Sequence, residues 1–333
     1  MRMDVDAPRR VDVHSHYMPA ALREALEARS EIPRISRRNG RLMVDWHAGI
    51  SFPLWPEAID LAAAGRRADA AGIDTTVLSV ITPSVEQLPP ADAIAVARAC
   101  NDELAEAGRR RQWEGIAALP WQAPDAAVAE LERIASLGLR GAYVSSTVGA
   151  QPLDTPAFAP VFDAAAELDL PVIIHPAYPT RVPAVDAYAL PTTLGFLLET
   201  SAATLRLILG GLFVRHPEFK LYLVHIGSLL PYILGRLDYE AARYEGAAGA
   251  LSVPPSEHVK LLYTDSVCVW PPALKLALDT FGPERVMFGT DEPFWASDKA
   301  LRAVTDLDLP ADTLERVWAR NAEELFRLDP RWR

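Results

Sequence analysis

Five residues able to do chemistry recur at one kind of position. His14 and His16 lie in VDVHSHYMP, His175 closes PVIIH, His225 closes LYLVH, and Asp291 closes VMFGTD. Each is carried by a short apolar run, the composition of a buried strand. A strand's period of two sends His14 and His16 to the same face. Three imidazoles with one carboxylate suit zinc or a similar divalent transition metal, whereas magnesium would call for more oxygen ligands. His14, His16, His175 and Asp291 make that set. His225 is then left over as an unligated base or acid beside the water that such an ion activates. Taken singly, each has an ordinary structural reading: a hydrogen-bonded histidine at a strand end, or an aspartate serving as a turn or helix cap. The chemical reading is favoured because four of the seven histidines and one aspartate share the same placement.

The elements that must position them follow from the alternation of β-rich runs with longer helical segments, which predicts parallel α/β architecture. Strands are predicted over 11–14, 75–81, 115–119, 141–145, 171–175, 220–225, 260–264 and 285–289. Between them lie helices such as 124–137, where Val128, Leu131, Ile134 and Ala135 recur at helical spacing before Gly138. Eight such units predict a (β/α)8 TIM barrel with its site at the C-terminal rim of the strands. The competing doubly wound sheet would offer a glycine-rich loop after its first strand, and that place holds HSHYMP. Residues 30–55, with a turn signal at Asn39 and Gly40, predict a small β insertion after the first strand. Residues 178–193, with Pro179, Pro183 and Pro191, predict a long loop over the site. No repeat or linker divides the chain, so residues 1–333 are expected to form a single barrel domain.

Composition sets the bounds. With 50% hydrophobic and 23% charged residues, the 333-residue chain can bury a large core, and its net charge of −11 offers no footprint for nucleic acid or an anionic membrane. The apolar stretch 194–215 is interrupted by Glu199 and Arg206 and is expected to be a buried helix. Two distant cysteines, Cys100 and Cys268, and an N-terminal MRMDVDAPRR without an apolar core suit a reducing cytoplasm. His47, His216 and His258 read as loop or surface residues. Trp46, Trp55, Trp270, Phe294 and Trp295 fall near rim loops and are candidates for a pocket wall, with core packing as the default. Cys268 has no assigned base partner, so a nucleophilic role has little support.

VDVHSHYMP, LPVIIHPAY, LVHIGSLLPYILGR and RVMFGTDEPF, in this order between residues 9 and 328, resemble the signatures of the amidohydrolase superfamily, in particular proteins similar to 2-amino-3-carboxymuconate-6-semialdehyde decarboxylase. The resemblance implies His14, His16, His175 and Asp291 as ligands of one divalent ion, zinc first and manganese second, with His225 as the catalytic histidine. It also implies a homodimer and a small-molecule substrate. The reaction expected is nonoxidative decarboxylation of a carboxylated aromatic or muconate-like compound. Hydrolysis of a small amide, ester or lactone, with Asp291 shuttling the proton, is the alternative, and a non-catalytic metal-binding barrel is disfavoured by the intact set. The chain departs from the family in three places. His225 is followed by Ile226, Gly227 and Ser228 rather than by two glycines. No arginine among Arg34, Arg37, Arg38 and Arg41 aligns with one that would hold a substrate carboxylate. GAYVSSTV lacks the lysine that bridges two ions in binuclear relatives, so a single ion is expected.

Overall fold

The computed structural model describes residues 8–47, 50–110, 112–149, 151–178 and 183–328. Its parallel strands are Val11–Tyr17, Thr75–Val80, Trp113–Gly115 continued by Ala117–Ala118, Ala142–Ser145, Val172–His175, Leu221–Leu223, Thr264–Asp265 and Val286–Met287. Neighbours in sequence are neighbours in space. The first pairs with the second and the second with the third, while the third, fourth, fifth and sixth form another parallel run. Backbone hydrogen bonds bridge the remaining joins: Leu223 N–H to Tyr263, Thr264 N–H to Arg285, and Val13 N–H to Phe288, the last joining the eighth segment to the first.

Side-chain alternation sorts these strands onto two cores. Val11, Val13, Val77, Ile116, Tyr143, Ile173, Tyr222 and Met287 pack together and against Leu325 and Phe326 of the C-terminal helix. The intervening residues, among them Leu78, Val144, Ile174 and Leu223, pack outward against the helices. Asn101, wholly buried in helix Pro90–Ala107, accepts from Ala118 N–H and donates to its carbonyl, tying that helix to the third strand.

Several boundaries differ from expectation for identifiable reasons. The first strand runs on to Tyr17, because its distal half pairs with Leu78, Ser79 and Val80. The sixth stops at Leu223, where the chain enters a left-handed turn. The seventh starts at Thr264, since helix Pro255–Val259 draws Lys260 into its last turn through the bond to the Ser256 carbonyl. Arg34–Arg38, Arg41–His47 and Ile50–Pro53 form an antiparallel sheet, and Asn39 and Gly40 make its two-residue turn with φ of 50° and 78°.

Pro191 opens a helical segment instead of belonging to a loop, a position where a missing N–H costs nothing. Pro179 lies outside the described residues, as do the first seven residues of the N-terminal segment. The segment Pro191–Leu209 is long and apolar enough to cross a membrane by length and composition alone. Its helix Phe196–Leu209 buries one face through Ala203, Leu207 and Ile208, so the expected burial holds on that face only.

Candidate metal centre

The first strand delivers two histidines to the site by a break in its own regularity. Asp12 pairs with Thr76 but Ser15 with Leu78, so one extra residue is accommodated between them. This bulge passes the inward phase from Val11 and Val13, which pack in the inner core, to His14 and His16. His175 is the last residue of its strand, in register with Ser145. Asp291 stands beyond the eighth strand in a left-handed conformation, φ 60°, fixed by its N–H donating to the His14 carbonyl at 2.7 Å.

One ligand atom from each of His14, His16, His175 and Asp291 lies within 4.8 Å of the others, and all four residues are buried. Asp291 Oδ1 is 3.0 Å from His16 Nε2 and 3.5 Å from His14 Nε2. The other nitrogen of each ring is occupied: His14 Nδ1 by Asp265 at 2.8 Å, His16 Nδ1 by the Ser79 hydroxyl at 3.0 Å, and His175 Nδ1 by the Tyr143 hydroxyl at 3.1 Å. Such outer partners orient an imidazole and select which nitrogen is free to ligate. Among the described residues His14 Nε2 is buried with no hydrogen-bond partner, an orphan that a cation would satisfy.

The electrostatics match. Burial would raise the Asp291 carboxyl, but His14, His16 and His225 hold it well below the usual carboxylate range, so it stays anionic. Burial lowers His16, and burial together with His16 and His14 pushes His175 further down, which leaves both with lone pairs. His14 is pushed up to about 9: burial opposes this, and Asp291 and Asp265 outweigh it. Cation binding would therefore release a proton from it. Three neutral nitrogens and one carboxylate oxygen fit a divalent transition metal.

His225 stands apart from that group. It occupies a left-handed turn, φ 59° and ψ 61°, with its Nε2 3.6 Å from Asp291 Oδ2 and its Nδ1 buried without a partner among the described residues. The positions where glycines were expected by resemblance are left-handed too, Ile226 at φ 52° and Gly227 at φ 76°. A Cβ on Gly227 would meet the Phe281 ring at 2.4 Å, so glycine is required there on both counts.

Aromatic rings cover one side. Phe294 sits edge-on to His16 at 5.6 Å and contacts Phe52 and Trp55, while Trp46 contacts Phe52, Tyr178 and Phe196. Trp270 and Trp295 are exposed instead. Arg34 and Arg38 both ion-pair with the buried Asp45, so neither is free for a substrate. His47 stacks on Tyr178 and His216 pairs with Asp163, while burial raises the Cys268 thiol, opposing a nucleophilic role. Residue-type reasoning missed Ser79, Tyr143 and above all Asp265. Asp265 closes the run LLYTD much as Asp291 closes VMFGTD, so the same signal was available for it.

The sequence profile described as amidohydrolase matches residues 11–328. The chain is 33% identical over 287 residues to a gamma-resorcylate decarboxylase of Rhizobium radiobacter, covering 79% of this chain and 86% of that one. It is 30% identical over 247 residues to a 2-amino-3-carboxymuconate-6-semialdehyde decarboxylase of Dictyostelium discoideum, covering 72% and 69%. A dihydroxybenzoic acid decarboxylase from a Polaromonas species, solved with manganese and the inhibitor 2-nitroresorcinol, superposes with a TM-score of 0.82 at 26% identity, covering 97% of this chain and 98% of that one. With a buried histidine–aspartate centre at the place its motifs led us to expect, the chain belongs to the amidohydrolase family.

Proposed function

We propose that this protein is a metal-dependent nonoxidative decarboxylase of a small carboxylated aromatic or muconate-like compound. The observation that carries the proposal is the division of labour at the site. Four donors converge within 4.8 Å, and His225 faces the same carboxylate from outside that group. Relatives named for the decarboxylation of resorcylate and carboxymuconate semialdehyde support the choice of reaction over hydrolysis.

His14, His16, His175 and Asp291 would hold one divalent ion, zinc first and manganese as the alternative. When bound, it supplies a positive charge that orients substrate oxygens and acidifies water. The chain's own residues do the rest. The anionic Asp291 faces the His225 imidazole, its Oδ2 3.6 Å from Nε2. His225 gives a proton to the carbon bearing the carboxylate, where a C–H bond forms. The bond from that carbon to the carboxylate then breaks, its electron pair returns to the conjugated system, and carbon dioxide leaves. His225 regains its proton from solvent. Phe294, Phe52, Trp55 and Trp46 form an apolar wall suited to a flat substrate.

The circuit of strand-to-strand bonds that returns from Phe288 to Val13 supports a closed (β/α)8 barrel in one domain, with the antiparallel sheet as an insertion after its first strand. A cytoplasmic homodimer is the setting we propose. Tyr232 and Tyr239, exposed two turns apart on helix Leu230–Arg243, support a protein-facing surface there.

The test is incubation of the metal-loaded protein with carboxylated phenols, muconate-like acids, and amides, esters and lactones, following carbon dioxide and hydrolysis products separately. Carbon dioxide with a protonated product is the expected outcome. Hydrolysis products alone would transfer the site to the alternative reaction.

A further inference from the structure

We infer that Asp265 is a positioning residue that couples the metal centre to His225, one carboxylate oxygen setting the face of His14 and the other holding the turn that carries His225. Asp265 is fully buried at the end of the seventh strand. Its Oδ2 accepts from His14 Nδ1 at 2.8 Å and from the Tyr222 hydroxyl at 2.7 Å. Its Oδ1 accepts from three backbone N–H groups: His225 at 2.9 Å, Val267 at 3.0 Å and Ile226 at 3.3 Å.

Two consequences follow. A proton held on His14 Nδ1 leaves Nε2 as the lone pair facing the centre. The three N–H donors form a concave nest for an anion, and the residues making it would not take this shape unaided. His225, Ile226 and Ser228 are all left-handed without being glycine, with φ of 59°, 52° and 56°. Among the described residues the imidazole of His225 has no partner on Nδ1, so its aim toward Asp291 is set mainly by the backbone that Asp265 holds.

This inference rests on the reading of His14 as a ligand and His225 as the proton donor. Asp265→Asn separates its parts, because an isosteric amide has one acceptor and one donor edge. With its oxygen toward the nest, its NH2 meets His14 Nδ1 and favours the tautomer protonated on Nε2, which cannot ligate. Flipped, the NH2 faces three donors and the turn is released.

We expect Asp265→Asn to bind zinc about 10–100-fold more weakly, measured by competition with a chromophoric chelator. At saturating zinc kcat should still fall about 100-fold, with KM nearly unchanged. Wild-type values for either zinc affinity or kcat at saturating zinc would overturn the coupling. If the variant does not fold, the zinc-loaded wild type labelled with 15N-histidine decides. His14, assigned by the signal missing in His14→Gln, must carry its proton on Nδ1, and a proton on Nε2 overturns the inference. If the wild type decarboxylates nothing, the proposed function fails separately. Asp265 is then judged by zinc affinity together with the His225 ring resonances, which must move in Asp265→Asn.

Discussion

Each of His14, His16 and His175 has its Nδ1 tied to a neighbour, and among the described residues His225 has no partner on its Nδ1. That contrast predicts two different mutant behaviours. His225→Asn should retain about one equivalent of metal and lose turnover by roughly 100-fold or more, the scale of a missing general acid–base group. His16→Ala should lose both together. Metal analysis alongside kcat separates them, and metal loss in His225→Asn equal to that in His16→Ala would make His225 a ligand. The five candidate residues stood out in the sequence because four histidines and one aspartate share one kind of placement, at the ends of apolar runs. Their outer partners did not, since Ser79, Tyr143 and Asp265 acquire meaning only when folding brings each to one particular ring nitrogen.

At the scale of elements, two buried polar groups tie segments together and each can be tested. Glu86, in the loop after the second strand, accepts from the backbone N–H and hydroxyl of Ser145 at the end of the fourth, at 2.8 Å and 2.6 Å. Burial pushes its carboxyl from 4.5 to about 7, against the pull of the Ser145 bonds. The unfolded chain therefore gives up this proton at lower pH than the folded one, and stability must fall as pH rises from about 4.5 to 7, by about 3 kcal/mol through this group. Glu86→Gln mimics the protonated carboxyl and should flatten that part of the pH dependence, as read by urea denaturation at several pH values. An unchanged slope would show that Glu86 does not carry it.

Asn101→Ala should cost about 2–4 kcal/mol, because it strands the buried N–H and carbonyl of Ala118. A loss under 1 kcal/mol in the same measurement would mean that another group replaces it. No local pattern marks Asn101 as a strand's neighbour, because its partner Ala118 meets it only once the helix packs on the third strand.

For the whole molecule the question is how far the fold depends on the ion. The inner core of Val11, Val77, Ile173, Tyr222, Met287 and Phe326 lies among the strands and the C-terminal helix and includes none of the four donors. Chelation should therefore leave the far-UV circular dichroism intact and lower Tm by only several degrees, the part due to ligand linkage. Elemental analysis of the loaded protein should give about one equivalent of divalent metal. Collapse of the fold on chelation would recast the ion as structural, and two equivalents would require a second donor set. Sequence by itself determined the parallel α/β alternation, singled out five candidate site residues and pointed to the family, because strand composition and the order of polar residues at strand ends are local properties of the chain. Only the tertiary structure decided that a bulge turns His14 and His16 inward, that Arg34 and Arg38 are spent on Asp45, and that Asp265 links His14 to His225. Those facts depend on contacts between residues far apart in the chain, and no local pattern encodes which of several chemically suitable partners will be brought within hydrogen-bonding distance.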